Sequence, residues 1–122
     1  GARVPLPFSS TRQCSCVSHM APAGQPTAHV IWMHGLGDCG ESWEDLRDTV
    51  GPTMPWVSWR FPDAPEQSVS CNRGEVMPSW FDLRNIPVQH GEFHSGMDSA
   101  IARVQKMIRE AEERGIPSSR IV

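Results

Sequence analysis

The sequence lacks the features that mark membrane-spanning and nucleic-acid-binding proteins. It has no apolar run of about eighteen residues, the length that a transmembrane helix needs. It has no excess of positive charge either, since 11 Lys and Arg stand against 14 Asp and Glu, for a net charge of -3. Proteins that neutralise nucleic-acid phosphates need a basic surface. We therefore expect no transmembrane segment and no nucleic-acid partner.

Cysteine is scarce, and the four cysteines do not form a metal-binding pattern. Cys14 and Cys16 are too close for a zinc-binding pair and poorly placed for a disulfide with each other, and Cys39 and Cys71 stand alone. We expect four free thiols in a reducing compartment. A reversible acyl chain on Cys14 and Cys16 is a further hypothesis.

Acidic residues are absent from residues 1–27, where Arg3 and Arg12 are the charged residues, whereas all fourteen acids lie in residues 28–122. Proline and hydroxyl-bearing residues are frequent in the same stretch, which favours a flexible leader over residues 1–27. An organelle-targeting peptide is the alternative, although two arginines without an amphipathic period support it little. The stretch has no apolar segment typical of a secretory signal, and we expect a cytoplasmic protein.

The sequence does contain a strand, a glycine-rich turn and a helix in succession. Residues 29–34 (HVIWMH) predict a strand buried on both faces. Three glycines follow within residues 35–40, and residues 41–50 have helical spacing. Residues 56–61 predict a second strand. Two strands that bracket a helix form a βαβ unit, which indicates an α/β fold with parallel pairing.

The second half of the chain predicts a long loop, a helix and a third strand. Residues 62–91 contain four prolines and predict one long loop, which is usually functional in a compact domain. A helix follows and ends at Gly115, and residues 119–122 begin the third strand. The apolar residues of this helix recur every three or four positions and predict one core-facing stripe: Met97, Ile101, Val104, Ile108 and Ala111.

The turn at residues 35–40 fits two kinds of chemistry. Its letters match the dinucleotide-binding pattern G-x-G-x-x-G, but Asp38 and Glu41 would repel a pyrophosphate, and no acid follows about twenty residues later. A dinucleotide-binding module is therefore the weaker alternative. The same turn also suits ester hydrolases of the α/β type, in which such a loop donates a backbone N–H to an oxyanion.

Five separated segments carry a resemblance to a known family. They are HGLGD at residues 34–38, Trp43, FPDAP at 61–65, MPSWFD at 77–82 and GIPSSRI at 115–121. In this order and rough spacing they resemble the phospholipase/carboxylesterase family of α/β-hydrolases, whose best-known members are acyl-protein thioesterases. The resemblance covers about residues 28–122. It implies an incomplete α/β-hydrolase fold, with a mainly parallel sheet and flanking helices.

The resemblance implies roles for the residues of the glycine-rich turn. The backbone N–H of Leu36 would be one oxyanion donor, and its flanking glycines, Gly35 and Gly37, would permit close substrate approach. His34 and Asp38 would support the same loop. The residues alone favour His34 as a strand-end histidine that hydrogen-bonds to backbone, because nothing arranges it as a base for a nucleophile.

The resemblance also implies an acyl-binding channel lined by Met77, Trp80 and Phe81. Taken alone, Trp80 fits an ordinary core aromatic as well. The implied substrates are S-acylated proteins or lipid esters, with no cofactor and with peripheral membrane association left open. His90 and His94 have the spacing of a metal pair but lack an evident third ligand, so we expect no metal site.

The sequence departs from the family's pattern at the nucleophile. No G-x-S-x-G occurs in the 122 residues, although the resemblance implies such an elbow directly after the strand at Ile121, followed by the aspartate and the histidine of the triad. We therefore expect residues 28–122 to be the N-terminal portion of a hydrolase domain, truncated before the elbow and inactive alone. The alternative is a non-catalytic fragment or interaction product.

Overall fold

The computed structural model describes residues 24–122, and it confirms the predicted parallel βαβ unit. Strand β1 (Ala28–Ile31) pairs in parallel with β2 (Val57–Arg60), with His29 opposite Ser58. A 3-10 turn (Glu41–Trp43) and helix α1 (Asp45–Val50) connect the two strands. Because β1 and β2 run in the same direction, the loop after β1 lies at the carboxyl edge of this parallel pair.

The third strand predicted over residues 119–122 is present only at its end, because Ser118–Arg120 form a 3-10 turn, and this end pairs with β1. Ile121 forms a parallel bridge to His29, the Ile31 N–H donates to the Val122 carbonyl over 2.7 Å, and the Val122 N–H donates to the His29 carbonyl over 2.9 Å. Strand β1 therefore lies between β2 and the segment at Ile121. Its backbone is hydrogen-bonded on both sides. The predicted burial on both faces is wrong, because only His29 of β1 is buried, and Trp32 and Met33, which the prediction included, are 37% and 39% exposed.

The prediction of one long loop over residues 62–91 is wrong for its first half. Strands β3 (Glu66–Val69) and β4 (Glu75–Pro78) form an antiparallel hairpin there, and Arg73 and Gly74 turn the chain with positive φ angles of 58° and 79°. The strands escaped prediction because β3 contains one apolar residue, Val69, and so has no alternating apolar pattern. The hairpin places residues 77–82 beside the loop that follows β1.

Helix α2 (Met97–Glu113) confirms the predicted long helix, and Gly115 with φ +91° follows its end. Its buried residues are Ala100, Met107 and Ala111. The predicted single stripe is wrong at Ile101, which is 48% exposed, because its side chain lies at an open apolar cavity and not in the core. The buried face of α2 is therefore narrower than the stripe of apolar residues that the sequence shows.

The core of the described residues is small. Its buried apolar side chains are Ala64, Val69, Ala100, Met107, Ala111 and Ile116. Neither helix within residues 24–122 has the length and apolar character that crossing a bilayer requires. Cys14, Cys16 and most of the predicted leader lie outside the described residues, so the predictions for them stay predictions.

His29 on β1 is buried beside two arginines, and this predicts that stability decreases in acid. Burial, together with the positive charges of Arg114 and Arg60, holds the pKa of His29 below its ordinary 6.5. The unfolded chain therefore takes up this proton first, so the free energy of unfolding should fall as the pH drops below about 6.5. Urea unfolding at about pH 7.5 and pH 5.5 measures the change.

Two variants isolate this contribution. His29→Ala should reduce the loss of stability between the two pH values, whereas His90→Ala, at an exposed position, should leave it as in the parent chain. An unchanged loss in His29→Ala would show that other groups cause the pH dependence.

Candidate active site

The glycine-rich loop at residues 34–40 leaves the carboxyl end of β1 and leads into the 3-10 turn before α1. Gly37 has φ +76°, and its N–H donates to the Pro78 carbonyl over 2.9 Å. The loop is thereby joined to the end of β4. Because α/β sheets bind ligands at the carboxyl ends of their parallel strands, this loop is the candidate site.

His34 is buried, 3% exposed, and both of its ring nitrogens are hydrogen-bonded to backbone. The Ala64 N–H donates to Nε2 over 2.9 Å, so Nδ1 carries the proton and donates to the Gly35 carbonyl over 2.7 Å. The Trp80 indole N–H donates to the His34 carbonyl over 2.9 Å, and the two rings lie 5.3 Å apart. With both nitrogens engaged, His34 is not placed to act as a base for Ser42.

The backbone N–H groups of the glycine-rich loop differ in whether they have a hydrogen-bond acceptor. The neighbours of the Leu36 N–H are used within the protein, since the Gly37 N–H donates to Pro78 and the Asp38 N–H donates to the Gly35 carbonyl over 3.3 Å. Within residues 24–122 the Leu36 N–H itself has no acceptor, and the residue is half-buried. A fixed, unpaired backbone donor of this kind can stabilise a developing negative charge.

Asp38 connects the glycine-rich loop to the 3-10 turn that precedes α1. Its carboxylate accepts hydrogen bonds from the Cys39 N–H over 2.8 Å and from the Trp43 indole N–H over 2.9 Å. Hydrogen bonds from the Ser42 hydroxyl, the Cys39 N–H and the Trp43 indole lower the pKa of Asp38. The carboxylate is therefore ionised at neutral pH, and its charge disfavours a bound pyrophosphate.

Residues 61–65 hold the loop from a second side, a role that the sequence reasoning missed. Asp63 accepts a hydrogen bond from the Gly40 N–H over 2.7 Å, and Ala64 donates to His34. Gly40 packs directly on Phe61: a Cβ at Gly40 would lie 2.9 Å from the Phe61 carbonyl carbon and closer still to its oxygen. The segment FPDAP carried part of the family resemblance, but nothing in its spacing indicated which backbone groups it would contact.

The three proposed channel residues lie on two sides of the loop. Trp80 and Phe81 line an open cavity of about 280 Å³ against α2, and Gln105 is its polar residue. The other lining residues are Met33, Met97, Ala100, Ile101 and Val104. Met77 does not line this cavity, because it lies next to Gly37, with its sulfur 3.7 Å from where a Gly37 Cβ would be. The structure therefore brings two of the three together.

The two histidines with metal-like spacing have separate surroundings. His94 Nδ1 lies 3.1 Å from the Asp82 carbonyl and its ring packs 5.3 Å from that of Phe81, whereas His90 lines a different, polar cavity. Among residues 24–122 no three His, Cys, Asp or Glu side chains are grouped as metal ligands. Cys39 and Cys71 are free thiols.

Comparison with known proteins identifies the family. The family model described as phospholipase/carboxylesterase matches residues 14–122. The chain belongs to this family. It is 40% identical over 104 residues to a probable carboxylesterase of Oryza sativa subsp. japonica, an alignment that covers 83% of this chain and 39% of the relative. It is 37% identical over 106 residues to acyl-protein thioesterase 1 of Cryptococcus neoformans, with 84% of this chain and 44% of the relative covered.

Solved structures agree with this assignment. The crystal structure of Arabidopsis thaliana SOBER1 superimposes with a TM-score of 0.69 at 32% identity, and the match covers 77% of this chain and 46% of that one. The predicted α/β-hydrolase fold class is confirmed as part of such a fold. The chain of this phospholipase/carboxylesterase family member spans about two fifths of the length of the curated relatives above.

Proposed function

We propose that residues 28–122 are the N-terminal portion of a carboxylic ester or thioester hydrolase that works through a serine acyl-enzyme. The observation that carries the proposal is the unpaired Leu36 N–H in a loop fixed by His34. Family membership supports the reaction class, since the relatives are named carboxylesterase and acyl-protein thioesterase.

In this proposal Leu36 stabilises the tetrahedral intermediate. Attack on the acyl carbon moves negative charge onto the carbonyl oxygen, and a backbone N–H held in position stabilises that charge without reorganising. His34 and Asp38 are positioning residues, because their hydrogen bonds to Gly35 and Cys39 fix the loop on either side of Leu36. A second N–H would come from the residue after the nucleophile.

The cavity at Trp80 and Phe81 would hold the acyl chain. Its walls are apolar apart from Gln105, and each CH₂ that leaves water there contributes about 0.8 kcal/mol to binding. Met77 lies nearer the oxyanion loop and would contact the chain close to the acyl carbon. S-acylated proteins and lipid esters both fit, and we propose a cytoplasmic enzyme that reaches such substrates with or without peripheral membrane association.

The nucleophile is the missing part of this site. Ser42 has no histidine base beside it, because its hydroxyl donates to the Asp38 carboxylate and both nitrogens of His34 are engaged elsewhere. Ser79 is buried and its hydroxyl donates to the Phe81 carbonyl. In this proposal the serine, aspartate and histidine of the triad lie outside the 122 residues, because no G-x-S-x-G occurs among them, and the chain alone should hydrolyse no ester.

A fluorophosphonate probe, which labels activated serines, tests the proposal. The 122-residue chain should remain unlabelled, whereas a longer product of the same gene that contains G-x-S-x-G should be labelled. In that longer product, Leu36→Pro removes the N–H and should slow ester turnover by a factor of about 10²–10³. The matched variant Leu36→Ala keeps the N–H and should retain most of the activity.

The second candidate is a non-catalytic interaction product, which the open apolar cavity on α2 favours. It would be supported if no longer product of the gene were labelled. Labelling of the 122-residue chain itself would contradict both candidates, because it would reveal a nucleophile among these residues.

A further inference from the structure

A third cavity, of about 380 Å³, is lined by residues of β1, β2 and the end of α2, and its surroundings carry a surplus of positive charge. Its lining residues are His29, Trp59, Arg60, Glu110 and Arg114. Arg60 donates to the Glu110 carboxylate, and the Lys106 ammonium lies 4.0 Å from the same group. The Glu110 carboxylate therefore lies near three cationic side chains, which are those of Arg60, Lys106 and Arg114. Because the whole chain has a net charge of -3, this surplus is a local feature.

His29 lies at the floor of this cavity and is incompletely paired. Its side chain is 2% exposed, and Nδ1 lies 2.6 Å from the Ser58 hydroxyl. Nε2 is buried without a hydrogen-bond partner among residues 24–122. Such an atom costs free energy in a folded protein unless a ligand, a water or a charge compensates for it.

We propose that this cavity binds a small tetrahedral oxyanion of the phosphate type, with the guanidinium groups of Arg60 and Arg114 as its ligands and His29 beneath them. Planar guanidinium groups match the geometry of phosphate oxygens and form charge-assisted hydrogen bonds with them. Arg114 is exposed at the end of α2, and only its Nε is hydrogen-bonded within residues 24–122, over 3.4 Å to the Glu110 carbonyl. Its terminal nitrogens are therefore available.

Anion binding at this place should be coupled to proton uptake by His29. The charged groups that line the cavity with His29 are Arg60 on β2, Glu110 on α2 and Arg114 directly after α2, and Lys106 lies near Glu110. A bound anion offsets the two arginines and so favours the imidazolium form. The cavity borders the first half of β1, whereas the oxyanion loop follows its other end. The proposal is thus independent of the hydrolase chemistry.

Histidine NMR signals of the chain, recorded during a titration with inorganic phosphate, test the proposal. Phosphate should shift the His29 signal and raise its titration midpoint, and sodium chloride at the same ionic strength should not. Arg114→Gln, a change at an exposed position, should weaken phosphate binding at least about tenfold. Arg84→Gln, an arginine beside a different cavity, should leave the affinity unchanged. An equal response to chloride, or equal binding by Arg114→Gln, would overturn the proposal.

Two further measurements test the coupling to His29 and the source of the phosphate group. His29→Ala should still bind phosphate but without linked proton uptake, and uptake that persists in this variant would contradict the coupling. Flotation with phosphatidylcholine vesicles that contain phosphatidic acid distinguishes the source of the phosphate group. Flotation that Arg114→Gln abolishes assigns the site to a lipid headgroup, and phosphate binding without flotation assigns it to a free anion.

Discussion

Gly40→Ala should destabilise the chain by about 3 kcal/mol, because the new methyl group has no room. Gly40 has φ -64°, a conformation that alanine adopts without strain, so the effect comes from contact alone. The methyl would meet the carbonyl group of Phe61, which belongs to backbone and cannot rotate away. Urea unfolding should show a lower midpoint with an unchanged slope.

Gly35→Ala is the matched control in the same loop. Nothing lies within 4 Å of a Cβ at Gly35, and its φ is not positive, so this variant should stay within about 1 kcal/mol of the parent chain. If the two variants were equally stable, the close approach of Gly40 to Phe61 would not be a constraint on the folded protein.

His34→Leu should cost about 1–3 kcal/mol, because it leaves a buried backbone group unpaired. The Ala64 N–H donates to His34 Nε2 and lies at a buried position. Leucine fills much of the space but accepts no hydrogen bond. The free energy of unfolding, measured by urea denaturation, should fall accordingly, and the Ala64 amide should exchange with solvent faster than in the parent chain.

Two variants separate this hydrogen bond from a general loss of histidine. His34→Gln offers an amide oxygen near the position of Nε2 and should recover part of the stability. His90→Leu, at an exposed position, should change it by less than about 0.5 kcal/mol. Equal losses for the leucine and glutamine variants at residue 34 would show that shape, and not the Ala64 hydrogen bond, determines the stability at this position.

The elements that could be predicted are those with a local signal. The parallel pair of β1 and β2 followed from two apolar runs around a helix, and α2 followed from its apolar repeat and from Gly115. The hairpin of β3 and β4 was missed because β3 has a single apolar residue, Val69, and the two strands are stabilised by pairing with each other.

The contacts that fix the candidate site could not be predicted, because they join residues far apart in the chain. His34 was expected to bind backbone, but its partner Ala64 lies 30 residues away. The same holds for Gly40 and Asp63, which are separated by 23 residues. A single sequence shows which residue types are present in each segment, whereas these distances depend on how β2 and the following segment pack on the loop.

The position of β1 between β2 and the segment at Ile121 has a consequence for biosynthesis. One neighbour of β1 arrives about 30 residues later in the chain, but the other arrives only after about 90 residues. Until Ile121 and Val122 have left the ribosome, one edge of β1 has no partner and can pair with other chains. We therefore expect pairing of β1 with β2 to come first and this edge of β1 to be covered only after Ile121 and Val122 have been translated.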